Sequence, residues 1–165
     1  MTHILILMRH AKSSWGDLSL ADHERSLNSR GRRSAVALGQ WLRNRDLVPD
    51  EVLSSSSRRT QETFEGLKLK TEPTYTRALY HAGPAQMLDV LRGAQGRCVL
   101  MLGHNPGIAG FAEQLLKTRP VHDRFFDYPT GATTVMSLET ENWQNVQFGT
   151  GTVTEFVIPR ELPVF

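Results

Sequence analysis

Ile4-Leu5-Ile6-Leu7-Met8, followed at once by Arg9-His10, is the stretch on which the fold turns. Five apolar residues in an unbroken run, rich in Ile and Leu, read as a strand buried on both faces. Such strands lie at the centre of open α/β sheets, and ligands bind beyond their carboxyl ends. This strand ends on an arginine, which grips oxyanions, and on a histidine, which can act as a nucleophile.

The pattern repeats downstream. Cys98-Val99-Leu100-Met101-Leu102 is a second buried strand, and Gly103-His104 follows it. Glu51-Val52-Leu53 is a shorter one, leading into Ser54-Ser55-Ser56-Ser57 and then Arg58-Arg59. Between the strands the apolar spacing is helical. Ala35, Leu38, Trp41 and Leu42 form one stripe within residues 30–45, capped by Asn28 or Ser29. Phe64 and Leu67 face inward from residues 58–67, and Met87, Leu88 and Leu91 share a face of residues 84–92. Ile108, Phe111, Ala112, Leu115 and Leu116 make the last stripe, with Pro106 at its first turn. Residues 72–79 read as extended. From Gly131 onward the texture is β-branched, which predicts strands at 133–138, 146–148 and 153–158, some antiparallel at the sheet edge. The alternation predicts an α/β three-layer sandwich, with a mainly parallel central sheet and helices on both faces.

At 165 residues the expectation is one domain over residues 1–165. The net charge of +2 is too small to argue for nucleic acid or a membrane surface. The single Cys98 permits no disulfide within the chain, and the first apolar run is too short to span a bilayer, so a cytoplasmic protein is expected. The polar stretch from Lys12 to Ser29 is long for a connection, which marks a functional loop, and Trp15 within it is placed to flank an entrance. The run Arg30, Arg32, Arg33 reads first as a solvated face and second as a dock for an acidic partner.

Parallel strands would bring His10, His104 and the Arg58-Arg59 pair to one sheet edge. The resulting site has histidines, arginines and helix N-termini but almost no carboxylate. It suits an anion with several oxygens, phosphate being the simplest. A neutral imidazole there can attack phosphorus and carry the phosphoryl group covalently, with Arg9, Arg59 and His104 stabilising the charge and no metal or other cofactor needed.

These residues also carry a resemblance. Leu7-Met8-Arg9-His10-Ala11 resembles the Arg-His-Gly signature of the histidine phosphatase superfamily. Ser55 to Thr63, with Arg59 and Thr63 four apart, resembles its second arginine motif, and Leu102-Gly103-His104-Asn105-Pro106-Gly107 its second histidine motif. The stretches around Ser13, around Asp22-His23-Glu24-Arg25, and at Tyr128-Pro129-Thr130-Gly131 are similar to the small SixA-type branch. The resemblance implies that His10 is phosphorylated and that Arg9, Arg59 and His104 complete its pocket. Arg58 competes with Arg59 for the arginine role. Ser13, Asn105 and His81 are further candidates for substrate contact. Ala11 stands where the family usually has glycine, and Gly16 where the mutase branch has an asparagine.

Larger relatives carry an insert after the second arginine motif, with a carboxylate that serves as general acid. Here residues 67–84 are short, and Glu72 and Asp89 read as solvated. His81 is the candidate proton donor. A phosphate ester leaves as an alkoxide and usually needs an acid, whereas phosphohistidine leaves as imidazole. The expected substrate is therefore a phosphorylated protein carrying phosphohistidine. A small phosphorylated metabolite is the alternative, and a non-catalytic phosphate or phosphopeptide module is a third reading that the retained histidines argue against. His3, His23 and His122 fit no metal spacing and are expected to have no catalytic role.

Overall fold

A computed structural model describes residues 1–163; the last two positions of the expected 1–165 domain lie outside the described residues. Six strands form one sheet among them: β1 (Thr2–Arg9), β2 (Glu51–Ser55), β3 (Pro73–Thr76), β4 (Cys98–Gly103), β5 (Thr133–Glu139) and β6 (Thr152–Val157). Their order is β3-β2-β4-β1-β5-β6. The four strands β1 to β4 are mutually parallel, while β5 runs antiparallel to β1 and to β6. The expected three-layer architecture is the observed one.

Period two along the strands builds two cores. Leu5, Leu7, Val99 and Met101 point to one face, where α3 (Pro84–Arg92) and α4 (Gly107–Leu115) bring Met87, Leu91, Ile108 and Phe111. Ile6, Met8, Leu100 and Leu102 point to the other, under Leu38, Trp41 and Leu42 of α1 (Ser29–Asn44) and Phe64 and Leu67 of α2 (Arg58–Leu67). Both central strands are therefore buried on both sides, which is why they read as continuous apolar runs. Among the described residues no helix is long and apolar enough to cross a membrane.

Caps set the helix starts. The Asn28 side chain accepts from the Gly31 amide at the head of α1, and Ser57 accepts from the Thr60 amide at the head of α2. Gly39 and Gly66 let these two helices close up: a Cβ on Gly39 would stand 2.3 Å from the Leu67 carbonyl oxygen.

One expected strand, at 146–148, is absent. Trp143 opens a single 3-10 turn ending at Asn145, and Val146 is buried behind it. The Val146 carbonyl is taken by the Arg92 guanidinium, through Nε and Nη2, so no strand partner is needed. Residues 72–79 also divide, into β3 and a 3-10 turn at Arg77–Leu79.

Candidate active site

The pairing of β1 with β4 sets the register Arg9↔Gly103, so the two chains leave the sheet side by side with His10 next to His104. The His10 amide donates to the Gly103 carbonyl, and the imidazole centroids lie 5.3 Å apart. α2 starts at the same edge and delivers Arg59. Its next turn delivers Thr63, whose hydroxyl accepts from the Ala11 amide and donates to the Arg59 carbonyl. The four-residue step from Arg59 to Thr63 thus ties α2 to the His10 loop.

These groups face a cavity of about 470 Å³ lined by Arg9, His10, Ser13, Arg59, His81 and His104 among others. His10, Arg59 and His104 are themselves buried in its floor. The hydrogen bonds fix the tautomers. A backbone carbonyl only accepts, so His10 Nδ1, 2.7 Å from the Ala11 oxygen, carries the proton. Burial, which outweighs this bond, and the charges of Arg9, Arg59 and Arg25 push the His10 pKa down to about 3. The ring is neutral, and Nε2 keeps its lone pair. For His104 the logic is reversed: a guanidinium only donates, so Nδ1 accepts from Arg59 while Nε2 donates to the Ser55 hydroxyl at 2.7 Å. Burial, with His10 and Arg59 nearby, holds its pKa down at about 2.

Arg9 is braced by the segment that leads into β5, the neighbour of β1. Its amide donates to the Ala132 carbonyl and its Nη1 to the Tyr128 carbonyl. Its Nε is buried without a partner among the described residues, a donor an anion would satisfy. Burial and neighbouring Arg59 depress its pKa, against a smaller pull from Asp127.

The expectation of almost no carboxylate is corrected by Asp22. The loop of residues 12–28 folds over the cavity and sets this side chain among cations. Oδ2 accepts from Arg59, the Tyr80 hydroxyl and His81 Nε2, while Oδ1 accepts from Arg25. Partial burial raises its pKa, but these hydrogen bonds and the Arg59 charge outweigh that and hold it well below the ordinary carboxylate range. Asp22 is thus an ionised anchor for the arginines and not a proton donor. Arg25 is buried beside the half-exposed Asp22, reaching the Ser13 hydroxyl and lying 3.3 Å from the Trp15 ring centroid. The apolar period that finds helices and strands is silent in such a loop. The available signal was the Asp22–Arg25 spacing, which closes an i,i+3 ion pair.

Arg58 is a second correction. It points away from the cavity, half exposed and paired with Glu62, so Arg59 is the pocket arginine. Ser13 and His81 line the cavity as expected. Asn105 lines it too, but its amide nitrogen is spent on the Asp127 and Tyr128 carbonyls, which makes it a brace for the loop before β5 rather than a donor to an anion. His23 and His122 bond to Ser56 and Glu161 at the surface, and His3 packs on Trp143. Among the described residues no three His, Cys, Asp or Glu side chains group as metal ligands would.

Comparison with known proteins places this arrangement. The model of the histidine phosphatase superfamily (branch 1) matches residues 5–81, which contain His10, Asp22, Arg59 and His81. An uncharacterised protein of Mycobacterium tuberculosis is 31% identical over 160 residues, spanning 93% of this chain and 100% of its own length. A solved structure from Nakamurella multipartitia that carries the name phosphohistidine phosphatase SixA superposes with a TM-score of 0.86 at 26% identity, covering 96% of this chain and 97% of that one. The SixA-named protein of Agrobacterium tumefaciens shares the fold at a TM-score of 0.78 and 22% identity, over 95% of this chain and 98% of its own. The chain belongs to the histidine phosphatase superfamily, in its SixA-type branch.

Proposed function

We propose that the protein is a phosphohistidine phosphatase that works through a covalent intermediate on His10. The observation that carries this reading is the tautomer of His10: Nδ1–H is held by the Ala11 carbonyl, which leaves Nε2 bare on a ring that lines the same cavity as Arg9, Arg59 and His104. The Nε2 lone pair forms a bond to phosphorus as the bond to the leaving nitrogen breaks, and that nitrogen keeps the electron pair and takes a proton from water. The guanidinium groups of Arg9 and Arg59 balance the charge on the equatorial oxygens. Phosphorylated His10 still carries its Nδ1 proton, so it is a cationic ring and a good leaving group. Water then attacks phosphorus, the P–Nε2 electrons return to the ring, and a proton is lost to solvent.

The absence of a protonated acid supports phosphohistidine as substrate. Asp22 is the one carboxylate that lines the cavity among the described residues, and it is held ionised. A phosphate ester would have to expel an alkoxide with no acid to protonate it, whereas an imidazole leaves readily. The alternative, a small phosphate ester, is favoured by His81 alone, whose Nε2–H sits at the cavity mouth on Asp22.

The test is a panel of phosphohistidine peptides and sugar phosphates with wild type and His10→Ala. The expected result is faster hydrolysis of the peptides, lost with His10, together with an acid-labile, base-stable phosphoenzyme on rapid quench. Faster turnover of a sugar phosphate would overturn the substrate, and full activity of His10→Ala the mechanism.

A further inference from the structure

A second cavity, of about 440 Å³, adjoins the first and shares Lys12 and Thr130 as its wall. It is lined by the cations Lys12, Arg30, Arg124 and Arg160 and by the hydroxyls of Ser34 and Thr130, and none of its lining residues is acidic. Four separate parts of the chain converge here: the His10 loop, the first two turns of α1, the segment before β5 and the segment after β6. Lys12, Arg30 and Arg160 are exposed and have no ion-pair partner among the described residues. Arg124 is paired with Asp127, and Glu161 beyond the rim is paired with His122. Four like charges around one concavity repel each other, and among the described residues no carboxylate pairs with three of them. The overall charge of +2 hides this asymmetry.

We propose that this cavity is a second anionic subsite that receives the carboxylates of an acidic segment flanking the phosphorylated residue of the substrate protein. The proposal rests on the phosphohistidine reading and extends it to specificity. A peptide in the first cavity leaves it past Lys12 and Thr130, and an extended chain advances about 3.3 Å per residue, so side chains a few positions from the phosphohistidine enter the basic cavity. Arginine forks favour carboxylates, and the hydroxyls of Ser34 and Thr130 add neutral donors. No aromatic ring lines the cavity to stack a base or a sugar, which favours a peptide over a nucleotide.

The experiment compares phosphohistidine peptides with Glu-rich and with neutral flanks, at low and high salt, on wild type and on the Arg30→Gln/Arg160→Gln pair. Both arginines lie at the surface, outside the active-site cavity, so folding and hydrolysis of the neutral-flank peptide stay unchanged. The expected result is a kcat/KM about tenfold higher for the acidic flank in wild type, carried mainly by KM, lost in the pair and shrinking with salt. Arg30→Glu/Arg160→Glu should turn the preference toward lysine-flanked peptides. Equal kcat/KM for both flanks in wild type overturns the subsite while leaving the phosphohistidine reading intact. An unphosphorylated Glu-rich peptide, followed by fluorescence anisotropy, tests the subsite without hydrolysis. Binding by wild type and its loss in the pair supports it; equal binding by both overturns it. A gain confined to small bisphosphates, with no effect of peptide flank, overturns it as well.

Discussion

His10 and Asp22 are the two residues whose chemistry is set most strictly by their surroundings, and they were not equally visible. His10, with Arg9 and His104, stands where a buried strand meets solvent, and that position is written in hydropathy. Arg59 was legible up to a choice with Arg58, which only the helix face resolves. Asp22 and Arg25 lie in a family-like stretch, but a loop carries no period from which to tell a pocket side from a solvent side. Asp22→Asn removes a negative charge beside the phosphate site while leaving Arg59 a weaker tether. Inorganic phosphate should therefore inhibit the variant about three- to tenfold more tightly, while kcat falls, as measured by product inhibition. Ser55→Ala leaves His104 Nε2–H buried without its acceptor. A stability loss of about 1–3 kcal/mol is expected in urea unfolding, with a drop in kcat because the tautomer is no longer fixed.

Among the elements, the turn joining β4 to α4 bears the tightest backbone approach. A Cβ on Gly107 would lie 1.8 Å from the Ala82 carbonyl oxygen, and neither backbone can retreat without moving His104 or His81. Gly107→Ala should destabilise the protein by about 3 kcal/mol in denaturant titration and lower activity beyond what the loss of folded protein explains. Gly149, with nothing near it but a φ of +77°, should respond to alanine only through backbone strain, by about 1 kcal/mol. Strands and helices of strong period were legible to within a residue or two: α2 and α3 are found at 58–67 and 84–92, as their stripes predict. The failure at 146–148 has a physical origin. Val146 and Phe148 alternate like a strand, but one buries beside Trp143 and the other packs on Phe111, each satisfied by a neighbour other than a strand.

For the molecule as a whole, the neutral buried histidines couple stability to pH. In the unfolded chain His10 protonates near 6.5, and in the folded chain only near 3. Between these values the unfolded state binds more protons, so stability is full above pH 6.5 and is lost as pH falls toward 3. His104 acts in the same sense, and the depressed Asp22 adds a loss below the ordinary carboxylate range. His10→Asn should therefore flatten the slope of unfolding free energy against pH near pH 5 by about 1.4 kcal/mol per pH unit, read from urea midpoints. An unchanged slope would mean that the ring is protonated in the native state. The layer order and the parallel centre of the sheet were legible because buried strands and amphipathic helices alternate. The reversal of β5 was expected only as some antiparallel edge, since pairing direction leaves no mark on a strand's own residues.

That reversal has a consequence for when the protein becomes competent. Because β5 runs against β1, the segment that braces Arg9 enters the sheet at the working edge, through the Tyr128 and Ala132 carbonyls. A growing chain that has just emerged through α4 already holds both histidines and both arginines, yet Arg9 has neither acceptor. The centre is closed only after β5 has left the ribosome and zipped onto the first strand made, a pairing of the kind that forms late because the intervening loop must first be gathered in. Translation thus delivers the reagents early and the enzyme late.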